Sequence, residues 1–216
     1  MKTIYLVRHG ESEGNASLMY QLADSVLSER GREQAGFIAE RVAKLPVEVV
    51  IASPMARTKE TASVIGERIQ KSVEYSELFV ERRIPSALRG KRKDDPEVVP
   101  VTASIFTFDP PDFRYADEEN FQDLKARASA ALTFLEKRPE DHILVVGHGF
   151  FTRFLMARVI FGEELTGKEC GRVMGTLRTS NTGLTVLHFK DGATEGIEGP
   201  ENEWQIIVWN DHAHLG

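Results

Sequence analysis

A chain of 216 residues with 41% hydrophobic and 28% charged side chains can build one large domain around its own core, with no need of disulfides or a structural metal. Its net charge of −6 argues against nonspecific nucleic-acid binding, and no apolar run is long enough to span a bilayer. The single cysteine, Cys170, has no internal partner and fits a reducing compartment; with no secretory leader pattern at the start, a cytoplasmic location is expected.

The first apolar run, Ile4-Tyr5-Leu6-Val7, reads as a buried strand and stops at Arg8-His9-Gly10. It brings a guanidinium fork, matched to phosphate oxygens, beside an imidazole that can act as a nucleophile. That pairing suits phosphoryl transfer through a phosphohistidine; a histidine in an ordinary strand-end turn is the alternative. Ser28 and Glu29 mark a helix start, and Ala35, Ile38, Val42 and Leu45 keep helical spacing as far as Pro46. A second apolar run, 47–52, leads into Ser53-Pro54-Met55-Ala56-Arg57. A capping hydroxyl followed by proline predicts that a helix starts there, with Arg57 in its first turn, where free N–H groups favour an anion. Thr58, Ala62, Ile65 and Ile69 would be its buried face.

The stretch 78–111 predicts no regular element, because five prolines interrupt it. It carries Arg82, Arg83, Arg89, Lys91, Arg92 and Lys93. It reads either as an insertion over the sheet's carboxyl edge, suited to a substrate with a second anionic group, or as a solvated charged loop. Phe121, Leu124, Ala128, Ala131, Leu132 and Leu135 mark an amphipathic helix. A third apolar run, 142–146, ends at Gly147-His148-Gly149, and 150–161 is apolar on most sides, as a buried helix would be. Two late strands, 183–189 and 204–209, are expected to extend one edge of the sheet.

Near-continuous Val/Ile/Leu runs suit parallel strands buried on both faces, and ligands of such sheets bind beyond the carboxyl ends. Three strand ends would then place Arg8, His9, Arg57 and His148 on one rim.

These residues form a pattern. Arg8-His9-Gly10-Glu11-Ser12 with Asn15, Leu27-Ser28 with Gly31 and Gln34-Ala35, Ser53-Pro54-x-x-Arg57 with Thr61-Ala62, Gly147-His148-Gly149 and Asn181-Thr182-Gly183 occur in order along most of the chain. The set resembles the histidine phosphatase superfamily, in its phosphoglycerate-mutase-like branch. The resemblance implies a single-domain α/β three-layer sandwich over 1–216: a mostly parallel central sheet, helices on both faces, and 78–120 as a cap or insertion over the sheet's C-terminal edge. It implies His9 as nucleophile, with Arg8, Asn15, Arg57 and His148 binding phosphate and His148 also counted as catalytic. The general acid should be a glutamate after the second arginine; Glu81 is preferred and Glu77 is the alternative.

The expected activity is a metal-independent phosphomonoester phosphatase acting through a phosphohistidine on a small phosphorylated metabolite. No cofactor and no metal are expected; His212-x-His214 offers only two ligands. The expected partner is a small-molecule phosphate ester, with neither nucleic acid nor membrane, and a homodimer is compatible with the sequence. A cofactor-dependent phosphoglycerate mutase is the near alternative, although Ile84-Pro85-Ser86-Ala87-Leu88-Arg89-Gly90 departs from the stretch such mutases carry. A catalytically silent module that binds phosphorylated ligands is the alternative of another class.

Overall fold

The apolar runs of the sequence become strands of one sheet in the computed structural model. It describes residues 1–192, 194–196, 199–201 and 203–216, with the backbone alone for Ala16, 194–196 and 199–201. The strands are β1 (Lys2–Arg8), β2 (Val49–Ala52), β3 (Val73–Tyr75), β4 (His142–Gly147), β5 (Leu184–Phe189), β6 (Thr194–Gly196), β7 (Gly199–Glu201) and β8 (Trp204–Asp211). Six of them form a sheet in the order β3-β2-β4-β1-β5-β8, and β6 and β7 pair as a separate ribbon. The pairs β3–β2, β2–β4 and β4–β1 are parallel, while β5 runs antiparallel to both of its neighbours.

The described helices are α1 (Glu13–Ala16), α2 (Glu29–Val42), α3 (Ala56–Ile69), α4 (Val98–Phe106), α5 (Phe121–Glu136), α6 (Gly149–Phe161) and α7 (Gly167–Thr176). Side chains alternate along each strand, so the sheet has two apolar faces. Ile4, Leu6, Ile51, Ile143 and Val145 pack against Leu124, Leu135, Phe151 and Phe154 of α5 and α6. Tyr5, Val7, Val50, Leu144 and Val146 pack against Ile38, Val42, Ala62 and Ile65 of α2 and α3. This is the expected α/β sandwich, with helices on both faces of a mostly parallel sheet.

Strand register sets the rim. Val7 pairs with Val146 and Arg8 with Gly147 across β1–β4, and Ala52 pairs with Val146 across β2–β4. The ladder continues one step beyond the strands: the His9 amide donates to the Gly147 carbonyl at 3.0 Å, and the Ser53 amide to the Val146 carbonyl at 3.0 Å. His9, Ser53 and His148 therefore leave three neighbouring strands at one level.

Four local expectations need correction. Helix α3 begins at Ala56 rather than at Pro54, with Met55 as its uncapped N-cap. The Thr58 hydroxyl closes the preceding turn by donating to the Ser53 and Met55 carbonyls at 2.8 and 2.6 Å, and Ser53 is left for another task. Helix α2 ends at Val42, and Leu45 packs below it as part of the chain leaving the helix. The stretch 78–111 contains a helix after all. Pro100 is the third residue of α4, where a backbone N–H has no intrahelical acceptor to lose. Leu88, Val98 and Ile105 of this region form a small core of their own with Tyr20 and Ile84 packed against it. Finally, β3 is an additional edge strand; Glu74 and Tyr75 are exposed, so it lacks the apolar pattern that marks the others.

Candidate active site

At the carboxyl end of β1 the chain must turn sharply under α2. A side chain at Gly31 would put its Cβ 1.9 Å from the Glu11 carbonyl oxygen, so only glycine allows this approach. The Ser28 hydroxyl caps α2 by accepting from the Gly31 amide at 3.1 Å, and donates to Glu11 Oε1 at 2.9 Å. Glu11 thus belongs to the structural support of the turn. His9 is delivered at its start and is only 2% exposed.

The neighbours of His9 fix its tautomer. Nδ1 lies 2.6 Å from the Gly10 carbonyl oxygen, which can only accept, so Nδ1 carries the hydrogen. Arg57 Nε, which can only donate, points at Nε2 from 3.2 Å. Nε2 therefore presents its lone pair toward the rim. Burial, and then the positive charges of Arg57 and Arg8, hold the His9 pKa well below the usual histidine value. The ring is neutral, as a nitrogen nucleophile must be.

Arg57 stands on the first turn of α3, as expected. Its Nη2 faces His148 Nδ1 at 3.2 Å, and its Nη1 donates to the Leu22 carbonyl at 3.1 Å. The other His148 nitrogen, Nε2, lies 2.9 Å from Ser53 Oγ. Because guanidinium only donates, Nδ1 is the bare nitrogen and Nε2–H donates to the serine. His148 is also held neutral, chiefly by burial and then by Arg57. The two imidazoles meet edge to face, with ring centroids 5.2 Å apart. Burial also lowers the Arg57 pKa to about 10, so its charge persists at neutral pH.

Arg8 crosses over Gly149, where a Cβ would come within 3.1 Å of Arg8 Nε, and donates from Nη1 to the Thr179 carbonyl at 2.6 Å. Its Nε is buried and has no protein partner. Asn15 Oδ1 accepts from the Ser12 hydroxyl at 3.0 Å, and the Asn181 amide nitrogen reaches the His9 carbonyl at 2.9 Å.

Glu81 reaches the same place from the segment after β3. Its carboxylate accepts from the Phe150 and Phe151 amides, at 3.2 and 3.1 Å, on the first turn of α6. Its negative charge acts on both Arg8 and Arg57. Arg127 holds this segment in place by donating from Nη1 to the Leu78 and Val80 carbonyls at 3.0 and 2.8 Å, while Glu119 grips its other nitrogens at 2.7 and 2.8 Å. Burial of such an ion pair is tolerated because every strong donor is answered.

These groups surround one open cavity of about 670 Å³, lined by Arg8, His9, Asn15, Arg57, Glu77 and Glu81 among others. The sequence-based candidates are thus gathered at one rim, with His148 behind Arg57 rather than on the open wall. Glu77 also lines the cavity, without the amide contacts that fix Glu81. Sequence reasoning missed three participants. Ser53 was read as a helix cap, and Arg127 on α5 with Glu119 just before it gave no signal because a lone charged pair reads as surface. Arg153 also lines the cavity, held by the Gly149 and Met174 carbonyls at 3.2 and 2.9 Å.

Residues 4–199 match the histidine phosphatase superfamily (branch 1), and the chain belongs to that family. Among curated relatives, the probable phosphoglycerate mutase GpmB of Enterobacter sp. (strain 638) is 32% identical over 167 residues, covering 74% of this chain and 75% of the relative. The uncharacterized phosphatase PhoE of Bacillus subtilis (strain 168) is 25% identical over 217 residues, covering 100% of this chain and 97% of the relative. Of solved structures, YhfR of Bacillus stearothermophilus superposes with a TM-score of 0.82 at 22% identity over all of both chains. A mycobacterial glucosyl-3-phosphoglycerate phosphatase complexed with VO3 gives 0.74 at 22% identity, covering 97% of this chain and 99% of the other. These two likenesses concern the fold. Phosphatases and mutases are the family's named activities among these relatives. Among the described residues, no helix is long and apolar enough to cross a membrane.

Proposed function

We propose that this protein is a phosphomonoester phosphatase that works through a phosphohistidine on His9, without a metal. The observation that carries the reading is the His9 ring, with Nδ1–H donating to the Gly10 carbonyl at 2.6 Å and Nε2 bare beside Arg57. In this reading a phosphate ester enters the cavity and its oxygens take the donors of Arg8 and Arg57, with Asn15 completing the pocket and His148 positioning the Arg57 guanidinium from behind. The Arg57 donors that meet imidazole nitrogens in the free protein turn to the phosphate, and His9 Nε2 is released to attack phosphorus. The P–N bond forms as the P–O bond to the alcohol breaks. The leaving oxygen keeps that electron pair and takes a proton from Glu81, which enters this step in its protonated form. Water then attacks phosphorus and gives its proton to Glu81; the P–N electrons return to Nε2 and phosphate departs. The protein's contribution is position and fixed positive charge, which is what phosphoryl transfer asks of an enzyme. Segment 78–120 serves as the cap of the cavity within one domain.

Rapid quenching with a phosphorus-labelled aryl phosphate tests this. Acid-labile label on His9, formed and lost at the turnover rate and unaffected by a chelator, is the expected result. Turnover with no such label overturns it.

The relatives named GpmB favour a second reading, a phosphoglycerate mutase on the same phosphohistidine. Phosphatase is preferred because residues 84–90 depart from the mutase-like stretch. Isomerisation of 3-phosphoglycerate in the presence of a bisphosphate primer, without release of phosphate, would reverse that preference.

A further inference from the structure

The cavity is far more positive than the chain that makes it. Eight of its lining side chains are arginine or lysine and two are glutamate. The chain as a whole carries 27 basic residues against 33 acidic ones. Half of the cavity's cations already have work. Arg8 and Arg57 face the nucleophile. Arg82 is sealed beneath the ring of Phe106, 4.6 Å from its centroid, and donates to the Ile105 carbonyl at 2.7 Å. Arg153 is held by two backbone carbonyls.

Arg83 lies 4.0 Å from Glu119. Arg89, Lys93 and Arg178 are different: all three line the cavity, and among the described residues none has a carboxylate within ion-pair distance. Several cations elsewhere are matched: Arg68 with Glu40 at 2.7 Å, Arg92 with Asp94 at 2.7 Å, Arg138 with Glu74 at 3.0 Å. The Lys93 ammonium rests 5.5 Å from the centroid of the Tyr20 ring. Much of its side chain meets solvent, yet protein crowds the ammonium, and that crowding with the charge of Arg8 lowers its pKa. A partly desolvated cation beside Arg8, with Glu81 as the opposing charge that acts on it, favours an incoming anion.

Its position is also built. The Lys93 amide donates to the Leu18 carbonyl at 3.1 Å, the Tyr20 amide to the Lys91 carbonyl at 2.9 Å, and the Gly90 amide to the Tyr20 carbonyl at 2.8 Å. This short antiparallel bridge ties the cap to the loop that follows Asn15. Arg92, on the bridge, turns away to Asp94, and Lys91 does not line the cavity. Leu22, Ile84, Phe106 and Phe150 supply apolar wall to the same cavity, whose volume falls within the roughly 300–1,000 Å³ typical of small-molecule sites.

We propose that Lys93 forms a second oxyanion subsite, so that the substrate is a phosphate ester with an apolar or aromatic body and a carboxylate or second phosphate remote from the reacting group. This rests on the phosphatase reading. The test compares wild-type kcat/KM for phenyl phosphate, 4-carboxyphenyl phosphate and 1,4-phenylene bisphosphate. Preference of about tenfold or more for either doubly anionic ester is expected, a size appropriate to one partly desolvated charge contact; which ester wins identifies the oxyanion. The preference should collapse in Lys93→Met and return in Lys93→Arg. Equal kcat/KM for all three esters, or a Lys93→Met variant that loses activity on all three in parallel, overturns the subsite and leaves the phosphatase reading standing. Failure to hydrolyse any of the three removes both.

Discussion

Arg57 joins the two imidazoles of the rim: its Nε is 3.2 Å from His9 Nε2 and its Nη2 is 3.2 Å from His148 Nδ1. One planar cation thus fixes the direction of two nitrogen lone pairs. Lysine supplies the charge but not two donors in one plane. Arg57→Lys is expected to lower kcat/KM for an aryl phosphate by about 10²–10³, the usual cost of losing an oriented transition-state donor. A loss below tenfold in steady-state kinetics would show that charge alone suffices.

Ser53→Ala leaves the buried His148 Nε2–H with no acceptor. An unanswered buried donor costs about 1–3 kcal/mol, so the denaturant midpoint should fall accordingly with an unchanged slope. The nitrogen NMR signals of His148 should then show mixed tautomers where the wild type shows one. A single unchanged tautomer would mean that Arg57 alone orients the ring.

Glu81→Gln keeps the shape at the start of α6 and removes the proton. Turnover of alkyl phosphates, whose leaving oxygen must be protonated, should drop by about 10²–10⁴. Phosphorylation of His9 by an activated aryl ester should be largely spared, as a rapid-quench burst would reveal. Equal losses for both substrate types would point to Glu77 or to a purely positional role.

His9 and His148 give the fold a defined acid weakness. Their pKa values are held well below the usual histidine value by burial and by Arg57. Below about pH 6.5 the unfolded chain takes up protons that the folded chain refuses, so stability present above that pH is lost as the pH falls. While both rings stay neutral in the fold, each should contribute a slope of about 1.4 kcal/mol per pH unit. Thermal or urea unfolding between pH 7 and 5 measures this, and the slope should be shallower in a His148→Gln variant. An identical slope in that variant would sink the assignment.

Burial pushes the Cys170 thiol up to about 12, which keeps it protonated. Alkylation by iodoacetamide at pH 8 should be negligible in the native protein and complete in denaturant. Rapid labelling of the folded chain would contradict the packing of α7.

The sequence made the sheet legible because β1, β2 and β4 are buried on both sides and so read as apolar runs. It made Arg8, His9, Arg57 and His148 legible because each ends or follows such a run. Strand β3 was hidden by its exposed Glu74 and Tyr75. Helix α4 was hidden by Pro100, a breaker that becomes harmless in a first turn. Ser53 shows the deeper limit. A serine before a proline has the composition of a cap, and only the arrival of His148 from a strand 95 residues away gives the hydroxyl its use. Arg127 and Glu119 were silent for the same reason, since Arg127 meets carbonyls, and Glu119 an amide, of the segment 78–83, which only the fold brings near.

The pairing of Arg8 with Gly147 has one more implication. A parallel ladder permits displacement only in whole residue steps, and a single step turns every side chain to the opposite face. The interval between the two imidazoles is therefore quantised by main-chain geometry and independent of what clothes the cavity. Walls and roof can be rebuilt for a different guest while the two imidazoles stay in place, which makes the frame tolerant of new linings without moving the ring pair.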